Sequence, residues 1–322
     1  MKVGILGTGH MGETHAEQLQ KMPGVEIIFL ARDPEKSAKF AERFGASPRK
    51  TLEEVLKDVD ALDVCLPTDM HLETGLKAIA NGTPVIMEKP LARSLKDAIE
   101  LRDASAKAKV PFMVGQVVRY FPEFQTGQKI VAAGGVGKPA AARTRRGGPA
   151  PTGTDGWFMD HERSGGVLLD LAIHDFDWLR WVLGEVKCLY SRSVGASTGV
   201  GPDYALTTLT FDSGAIAHVE STWMDPSGFR TTFEVAGSGG LIQHDSRSVA
   251  SIRINTKDGS TLQQPHGHGS DPYYLQLEAF LSAVKNKTAV PVTAHDGVMA
   301  LSIALAAVES ARTGEVVIPA RP

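Results

Sequence analysis

The apolar positions of the chain follow one pattern up to about residue 116 and a different pattern after it. In the first part, short apolar runs alternate with segments whose apolar residues recur every three or four positions. The runs predict buried strands, and the helical repeat predicts amphipathic helices between them. This alternation predicts a doubly wound α/β domain with a parallel sheet. The predicted strands are residues 2–6, 25–30, 61–66, 85–87 and 111–115.

The second part is predicted to combine a few helices with a large sheet. Helices are expected at 123–133 and 167–183, with a loop rich in glycine, proline and arginine at 134–156. Short, turn-bounded segments then predict an open, mostly antiparallel sheet, so this part is α+β. Two helices, 273–285 and 294–313, precede a last short strand at 315–318. The sheet segments are 186–194, 204–211, 214–224, 229–236, 240–244 and 249–255.

Length, charge and cysteine content narrow the class of protein. A chain of 322 residues exceeds one ordinary core, so we expect domains at 1–119 and 120–322, with a C-terminal helix able to pack back on the first domain. A net charge of −3 argues against a nucleic-acid partner. No apolar run is long enough to predict a membrane span, and two distant cysteines fit a reducing cytoplasm. The loop arginines Arg143, Arg145 and Arg146 are interpreted as solvated charges, with anion binding as the alternative.

The first predicted strand runs into the turn Gly7-Thr8-Gly9-His10-Met11-Gly12, which opens a helix. A Gly-x-Gly-x-x-Gly turn between a strand and a helix is the fingerprint of dinucleotide binding. Gly7 permits the tight turn, Gly9 lets the backbone approach a pyrophosphate, and Gly12 lets the helix lie close to the strand. The helix N-terminus supplies amide donors and partial positive charge to the phosphates. All six residues are therefore candidate cofactor contacts.

The end of the second strand indicates which dinucleotide is bound. NAD-dependent proteins normally carry an acid there for the ribose 2′-hydroxyl, whereas this chain has Ala31-Arg32-Asp33. A small residue followed by arginine leaves space and a cation for a 2′-phosphate. NADP is therefore the preferred cofactor, and Asp33 keeps NAD as the alternative.

Further candidate chemistry lies where the later strands end. The run Val85–Met87 stops at Glu88-Lys89-Pro90, because proline cannot donate to a sheet. Open α/β sheets bind ligands at this carboxyl edge, so Lys89 is either a salt-bridged rim residue or a proton-transfer group. For His71, packing is favoured over catalysis. The candidate cofactor contacts at strand ends are Pro67, Thr68, His71, Glu88, Lys89 and Gln116.

The helix predicted at 167–183 carries an acid and a histidine four residues apart. Asp170 and His174 would share one helical face among apolar neighbours. The pair is either a structural hydrogen bond or an acid/base pair, since a carboxylate tunes a histidine that titrates near neutrality. Helical spacing leaves both interpretations open. His266 and His268 have no third ligand nearby in the sequence, so no metal site is predicted.

Together these motifs resemble the Gfo/Idh/MocA family of oxidoreductases over essentially the full length. The resemblance implies hydride transfer between a nicotinamide and a secondary alcohol of a sugar, sugar derivative or cyclic polyol. It also implies a catalytic group of Lys89, Asp170 and His174. His174 is the first choice as acid/base, although Lys89 is the alternative. The matching pieces are Gly7–Gly12, Pro67-Thr68…His71, Glu88-Lys89-Pro90, Arg119…Pro122, Gly165-Gly166…Asp170…His174 and Ala307…Ser310…Gly314.

The resemblance extends to substrate contacts and assembly. Arg119, Trp157 and Tyr274 are candidate sugar contacts beside the catalytic three, with a loop anchor as the alternative for Trp157. The second-domain sheet implies a homodimer or homotetramer, and the partner is a small molecule rather than nucleic acid or membrane. Ala31 departs from the aspartate of many NAD-using relatives. Three other functions stay open: a reductase of a small carbonyl or diol-derived substrate, a non-catalytic dinucleotide-sensing regulator, and a glycosidase with tightly held NAD.

Overall fold

The chain forms two compact units. The structure, a computed structural model, describes residues 1–31, 33–151, 161–195, 204–248, 251–264 and 271–322. The first unit comprises Met1–Val117 with Ser270–Val298, and the second comprises Val118–Gly269 with Met299–Pro322. The compact units therefore interleave along the chain. The division of cofactor and substrate binding at residue 119 stays a prediction.

The first unit contains a parallel sheet of six strands, β1 (Lys2–Leu6), β2 (Glu26–Leu30), β3 (Ser47–Arg49), β4 (Ala61–Val64), β5 (Val85–Glu88) and β6 (Phe112–Gly115). Their order is β3-β2-β1-β4-β5-β6, and every neighbouring pair is parallel. The doubly wound parallel sheet is thus confirmed. The order reverses between β1 and β4, and such a switch point is where open α/β sheets bind their ligands. Strand β3 had escaped prediction because Ser-Pro-Arg has no apolar residue.

Five helices connect these strands, and their ends follow local sequence rules. The Thr51 hydroxyl accepts a hydrogen bond from the Glu54 N–H at 3.1 Å and so caps the third of them. Ser94 caps the last of the five in the same way, through the Asp97 N–H. Gly45 ends the second in the left-handed conformation that favours glycine. The helices are α1 (His10–Leu19), α2 (Pro34–Phe44), α3 (Leu52–Asp58), α4 (His71–Ala80) and α5 (Leu95–Ala108).

The second unit contains an eight-stranded sheet that is antiparallel except for one pair. Its strands are β7 (Pro139–Gly147), β8 (Val186–Val194), β9 (Tyr204–Phe211), β10 (Ile216–Thr222), β11 (Arg230–Gly237), β12 (Gly240–Asp245), β13 (Ile252–Thr256) and β14 (Gly259–Gln263). The order is β14-β13-β12-β11-β7-β10-β9-β8, and only β7 and β10 run parallel. The predicted open, mostly antiparallel sheet is therefore confirmed.

Strand β7 lies inside the predicted loop 134–156, so that prediction was wrong. Its alanines and arginines have weak strand propensity, and their charges suggested a solvated loop. Carboxylates of neighbouring elements neutralise two of these arginines. Arg145 pairs with Glu220 on β10 at 3.1 Å, and Arg146 is buried against Asp175. The interpretation of these arginines as solvated charges was therefore wrong for Arg145 and Arg146.

The helix predicted at 167–183 is divided into two. Helix α8 ends at Asp170 and α9 begins at Ile173, since the Ala172 N–H bonds back five residues to the Val167 carbonyl. Every residue of Val167–Ile173 is buried, so tertiary packing outweighs continuous helix geometry here. The prediction of one continuous helix was thus wrong, and the shared face of Asp170 and His174, which was inferred from it, stays a prediction. The helices of this region are α6 (Pro122–Ala132), α7 (His161–Ser164), α8 (Gly166–Asp170) and α9 (Ile173–Leu183).

Two helices close the chain. Helix α10 (Pro272–Asn286) belongs to the first unit, and α11 (Ala294–Thr313) contains the junction between the units. The strand predicted at 315–318 is reduced to one bridge between Val317 and Leu189. Within the described residues, no helix is long and apolar enough to cross a membrane.

Two buried ion pairs attach helix α9 to the rest of the second unit. Asp177 receives two hydrogen bonds from Arg119, at 2.7 and 2.6 Å, and Asp175 receives two from Arg146, at 2.7 and 3.3 Å. All four side chains are buried. Removing one partner of such a pair leaves an uncompensated charge, which typically costs about 3–5 kcal/mol. The paired charges therefore hold α9 in one register against its neighbours.

Candidate functional site

The turn between β1 and α1 is tight because two of its glycines touch backbone. A Cβ at Gly12 would lie 1.9 Å from the Gly7 carbonyl oxygen, and a Cβ at Gly7 would lie 2.5 Å from that of Cys65. Gly7 also has a φ of +98°, which disfavours any other residue. Gly9 differs, since among the described residues no atom beyond its own chain neighbours lies within 4 Å of the position of its Cβ. Open space therefore remains at the central glycine, where a ligand can approach the backbone.

The groups around this turn fit a dinucleotide. Helix α1 has no side-chain hydrogen bond at its N-cap, Gly9, and both Gly9 and His10 are exposed. Its N-terminal amides can therefore bind phosphates. Thr8 and Met11 are half-buried beside them. Gln116, just after β6, is 1 % exposed, and its side-chain amide has no hydrogen-bond partner among the described residues. A buried amide of this kind needs a polar partner.

The end of β2 is described in part. Ala31 is half-buried, whereas Arg32 lies outside the described residues. Asp33 is the N-cap of α2, and its carboxylate accepts hydrogen bonds from the N–H groups of Lys36 and Glu35. These bonds lower the pKa of Asp33, the Lys36 N–H most. The carboxylate thus has a structural function at the helix start.

Buried polar contacts join the ends of β4 and β5. Pro67 precedes a short 3-10 turn that begins at the buried Thr68. The imidazole of His71 is fully buried, with Nε2 3.0 Å from the Leu66 carbonyl oxygen and Nδ1 3.0 Å from that of Pro90. Burial lowers its pKa. His71 therefore links the two strand ends through their backbone, and its predicted cofactor contact stays a prediction.

Glu88 and Lys89 end strand β5 as the sequence predicts. Glu88 is 8 % exposed, and its Oε2 accepts a hydrogen bond from the Lys89 N–H at 3.2 Å. Lys89 is half-buried. Gly115 stands opposite Glu88 on β6, where a Cβ would come within 2.9 Å of Glu88 Oε1. The carboxylate thus occupies the space that a larger residue at 115 would need.

A buried charged cluster below these strand ends was missed in the sequence. His15 Nδ1 lies 2.8 Å from Asp63 Oδ2, and His15 Nε2 lies 3.4 Å from Glu88 Oε1. The Cys65 sulfur lies 3.4 Å from His15 Nδ1, and burial raises the pKa of its thiol to about 12. Two signals could have revealed the cluster: an aspartate inside the apolar run Ala61–Val64, and a histidine on the apolar face of α1.

The remaining predicted residues lie apart from these strand ends along the chain. Asp170, the last residue of α8, is buried, and His174 on α9 is half-buried. Both belong to the second unit, as does Arg119, whose guanidinium is bonded to Asp177. Tyr274 is half-buried on α10 in the first unit, and Trp157 lies outside the described residues. Their catalytic and substrate-binding roles stay predictions.

The parallel sheet, its switch point and the glycine turn define a Rossmann-type dinucleotide-binding protein. A family model described as an oxidoreductase family with an NAD-binding Rossmann fold matches residues 1–116, and a model of the GFO/IDH/MocA C-terminal domain matches residues 124–243. The chain belongs to the Gfo/Idh/MocA family of oxidoreductases. This confirms the predicted resemblance, the dinucleotide-binding domain and the enzyme class.

Individual relatives match nearly end to end. Myo-inositol 2-dehydrogenase of Thermotoga maritima is 30 % identical, and the match covers 96 % of each chain. The 1,5-anhydro-D-fructose reductase of Ensifer adhaerens is also 30 % identical, over 97 % of this chain and 96 % of its own. The crystal structure of GenD2 from gentamicin A biosynthesis, in complex with NAD, is 28 % identical with a TM-score of 0.88, covering 99 % of this chain and 96 % of that one.

The geometry of the turn predicts opposite effects for two alanine substitutions. Gly9→Ala should leave the melting temperature nearly unchanged, because its Cβ enters open space, but weaken dinucleotide binding roughly tenfold or more by holding a phosphate off the backbone. Gly12→Ala should lower the melting temperature, because its Cβ meets the Gly7 carbonyl. Thermal unfolding and nicotinamide fluorescence titration measure the two effects. Unchanged binding in Gly9→Ala would contradict the assignment of Gly9.

Proposed function

We propose that this enzyme transfers a hydride between the nicotinamide and a secondary alcohol carbon of a sugar, sugar derivative or cyclic polyol. The observation that carries the proposal is Lys89, a half-buried ammonium whose backbone is fixed at the carboxyl end of β5, in a sheet that binds a dinucleotide. The names of the two curated relatives, an inositol dehydrogenase and an anhydrofructose reductase, support this substrate class.

Each proposed catalytic residue has a distinct task. A dinucleotide held at the Gly7–Gly12 turn would supply the hydride acceptor for oxidation of the alcohol carbon to a carbonyl, and the hydroxyl proton would leave separately. His174 takes that proton, and Asp170 orients its ring. The Lys89 ammonium donates a hydrogen bond to the reacting oxygen and stabilises negative charge developing there. Tyr274 and Trp157 are proposed substrate contacts. We do not propose Arg119 as a substrate contact, because its guanidinium already donates two hydrogen bonds to Asp177.

Three other functions make different predictions. A reductase of a small carbonyl or diol-derived substrate would use the same residues but fail to turn over polyols. A dinucleotide-sensing regulator would bind cofactor without any turnover, and it would need no acid/base group. A glycosidase with tightly held NAD would release no net reduced cofactor. The three proposed catalytic residues argue against the regulator.

The proposed function predicts that Lys89→Ala loses turnover but keeps cofactor binding. Assays with myo-inositol and oxidised cofactor, and with 1,5-anhydro-D-fructose and reduced cofactor, should show turnover in the wild type. Lys89→Ala should lower kcat by about a hundredfold, since it removes a donor to the developing charge. Its cofactor affinity should stay within about twofold. Lys96→Ala, an exposed lysine on α5, is the matched control. Near-wild-type kcat in Lys89→Ala would make Lys89 a structural rim residue.

We further propose that the enzyme prefers NADP. Ala31 stands where an acid would bind the ribose 2′-hydroxyl, and Asp33 is engaged by two backbone N–H groups at the start of α2. Arg32→Ala should then weaken NADPH binding by roughly tenfold and NADH binding by less than about twofold. Lys39→Ala, an exposed cation on α2, is the control. Tighter wild-type binding of NADH than of NADPH would contradict this preference.

The proposed assembly is a homodimer or homotetramer through the second-unit sheet. Tyr190 on β8, Leu206 on β9 and Ile216 on β10 are exposed apolar residues that strand register puts on one face. An exposed apolar patch of this kind favours association. Light scattering should therefore give at least twice the 34.4 kDa chain mass. A monomer that persists at micromolar concentration would contradict the assembly.

A further inference from the structure

The side chains of His15, Asp63 and Glu88 form a cluster of three buried ionisable groups. The packing of a sheet interior does not require such groups, so the cluster calls for an explanation. Asp63 is fully buried on β4, His15 is fully buried on α1, and Glu88 is 8 % exposed on β5. A buried carboxylate without a counter-charge is costly, so each carboxylate requires a cation or a donor nearby. His15 is in a position to serve both, because its two ring nitrogens face different carboxylates.

The protonation state of His15 follows from this geometry. A neutral imidazole has one N–H, so it could donate to only one of the two carboxylates and would present a lone pair to the other. An imidazolium attracts both: Nδ1 lies at hydrogen-bond distance from Asp63, whereas Nε2 and Glu88 Oε1, 3.4 Å apart, form an ion pair without hydrogen-bond geometry. Burial is the largest single influence and lowers the pKa of His15, but the contacts with Asp63 at 2.8 Å and with Cys65 together outweigh burial and raise the pKa well above its usual value. The groups facing the ring are Asp63, Cys65, Glu88 and, from α10, the Tyr273 ring with its centroid 5.7 Å away.

The cluster leads directly to the proposed catalytic lysine. Oε1 of Glu88 faces the imidazolium at 3.4 Å, whereas Oε2 accepts the Lys89 N–H at 3.2 Å. Gly115 closes the remaining side of the carboxylate. The side chain of Glu88 is thus held from three directions, and Lys89 leaves the sheet from a backbone fixed by that side chain.

We infer that His15 and Asp63 are positioning residues for Lys89: an imidazolium held between Asp63 and Glu88 fixes the Glu88 carboxylate, which fixes the strand end that carries the lysine. The inference rests on the proposed function for its effect on turnover, but not for the state of the cluster. Neither His15 nor Asp63 acts on the substrate itself. Their effect is on the geometry of Lys89, where a displacement of about 1 Å can cost a hundredfold in rate.

A metal ion is a poorer explanation of the same residues. The ligand atoms of His15, Asp63 and Cys65 lie within 4.8 Å of one another. However, a metal would need an unprotonated ring nitrogen as its ligand, whereas the ring nitrogen nearest Asp63 and Cys65, His15 Nδ1, carries a proton in the imidazolium. His15 Nδ1 already lies at hydrogen-bond distance from Asp63. The cluster is therefore an ion-pair network.

The state of His15 can be measured without any substrate. In full-length protein labelled with ¹⁵N-histidine, His15→Gln identifies the His15 signals among those of the ten histidines. Both ring nitrogens should be protonated at pH 8, where an ordinary histidine is neutral. In Glu88→Gln, where one carboxylate is lost, His15 should deprotonate at a lower pH than in the wild type. An unprotonated His15 nitrogen at neutral pH in the wild type would overturn the inference.

The positioning effect is tested by a steric substitution that changes no charge. Gly115→Ala places a Cβ 2.9 Å from Glu88 Oε1, and Gly4→Ala on β1 places one 2.8 Å from Val55, away from the cluster. Gly115→Ala should speed hydrogen exchange of the Lys89 amide and lower kcat by about tenfold or more, with cofactor affinity and KM within about twofold. Gly4→Ala should lower stability but leave Lys89 exchange and kcat near the wild type.

Equal effects of the two substitutions on Lys89 exchange would overturn the positioning role, whatever the substrate is. Exchange is measurable even if the wild type turns over no polyol, so failure of the proposed function is recognised separately. If exchange at Lys89 accelerates in Gly115→Ala while kcat on an accepted substrate does not fall, positioning by the cluster is also overturned. Thermal unfolding of both variants shows whether a change in kcat merely follows lost stability.

Discussion

The close approach of α1 to β1 is the constraint on which the first unit depends. Gly12 lies so near the Gly7 carbonyl that no side chain fits between them, and this proximity brings the amides at the start of α1 to the sheet switch point. The same approach brings His15, one turn later, into the sheet beside β4 and β5. A single packing contact therefore sets both the dinucleotide turn and the buried charge beneath the strand ends.

In both units, buried charged side chains are paired with side chains of opposite charge. In the first, His15 lies between Asp63 and Glu88; in the second, Arg146 and Arg119 each bind an aspartate of α9. Such pairs contribute little net stability compared with apolar packing, but they penalise any arrangement that separates them. The pairs therefore contribute to the structure mainly by fixing the positions of the segments that they join. Each pair fixes a segment that carries a proposed functional residue, Lys89 after β5 and His174 on α9.

The sequence predicted most of the first unit because its elements obey local rules. Apolar runs, the glycine turn and the Thr51 cap each depend on residues close together in the chain. The errors arose where distant residues decide. Strand β7 was missed because Glu220 and Asp175, which pair with its arginines, lie far along the chain. The division of the predicted helix at Leu171 likewise follows from complete burial, which no local pattern reveals.

The charged cluster was not predicted for the same reason: its contacts join residues that are far apart in the chain, although the sequence shows each residue by itself. The backbone of Gly115 is not left-handed, so its conformation does not explain why a glycine stands there. Asp63 is a charged residue within an otherwise apolar strand. Only the register of β5 with β6 shows that Glu88 needs the space beside Gly115. Only the packing of α1 shows that Asp63 has a partner in His15. The local preferences of the separate helix and strands therefore do not account for His15, Asp63, Glu88 and Gly115. Contacts between these elements do.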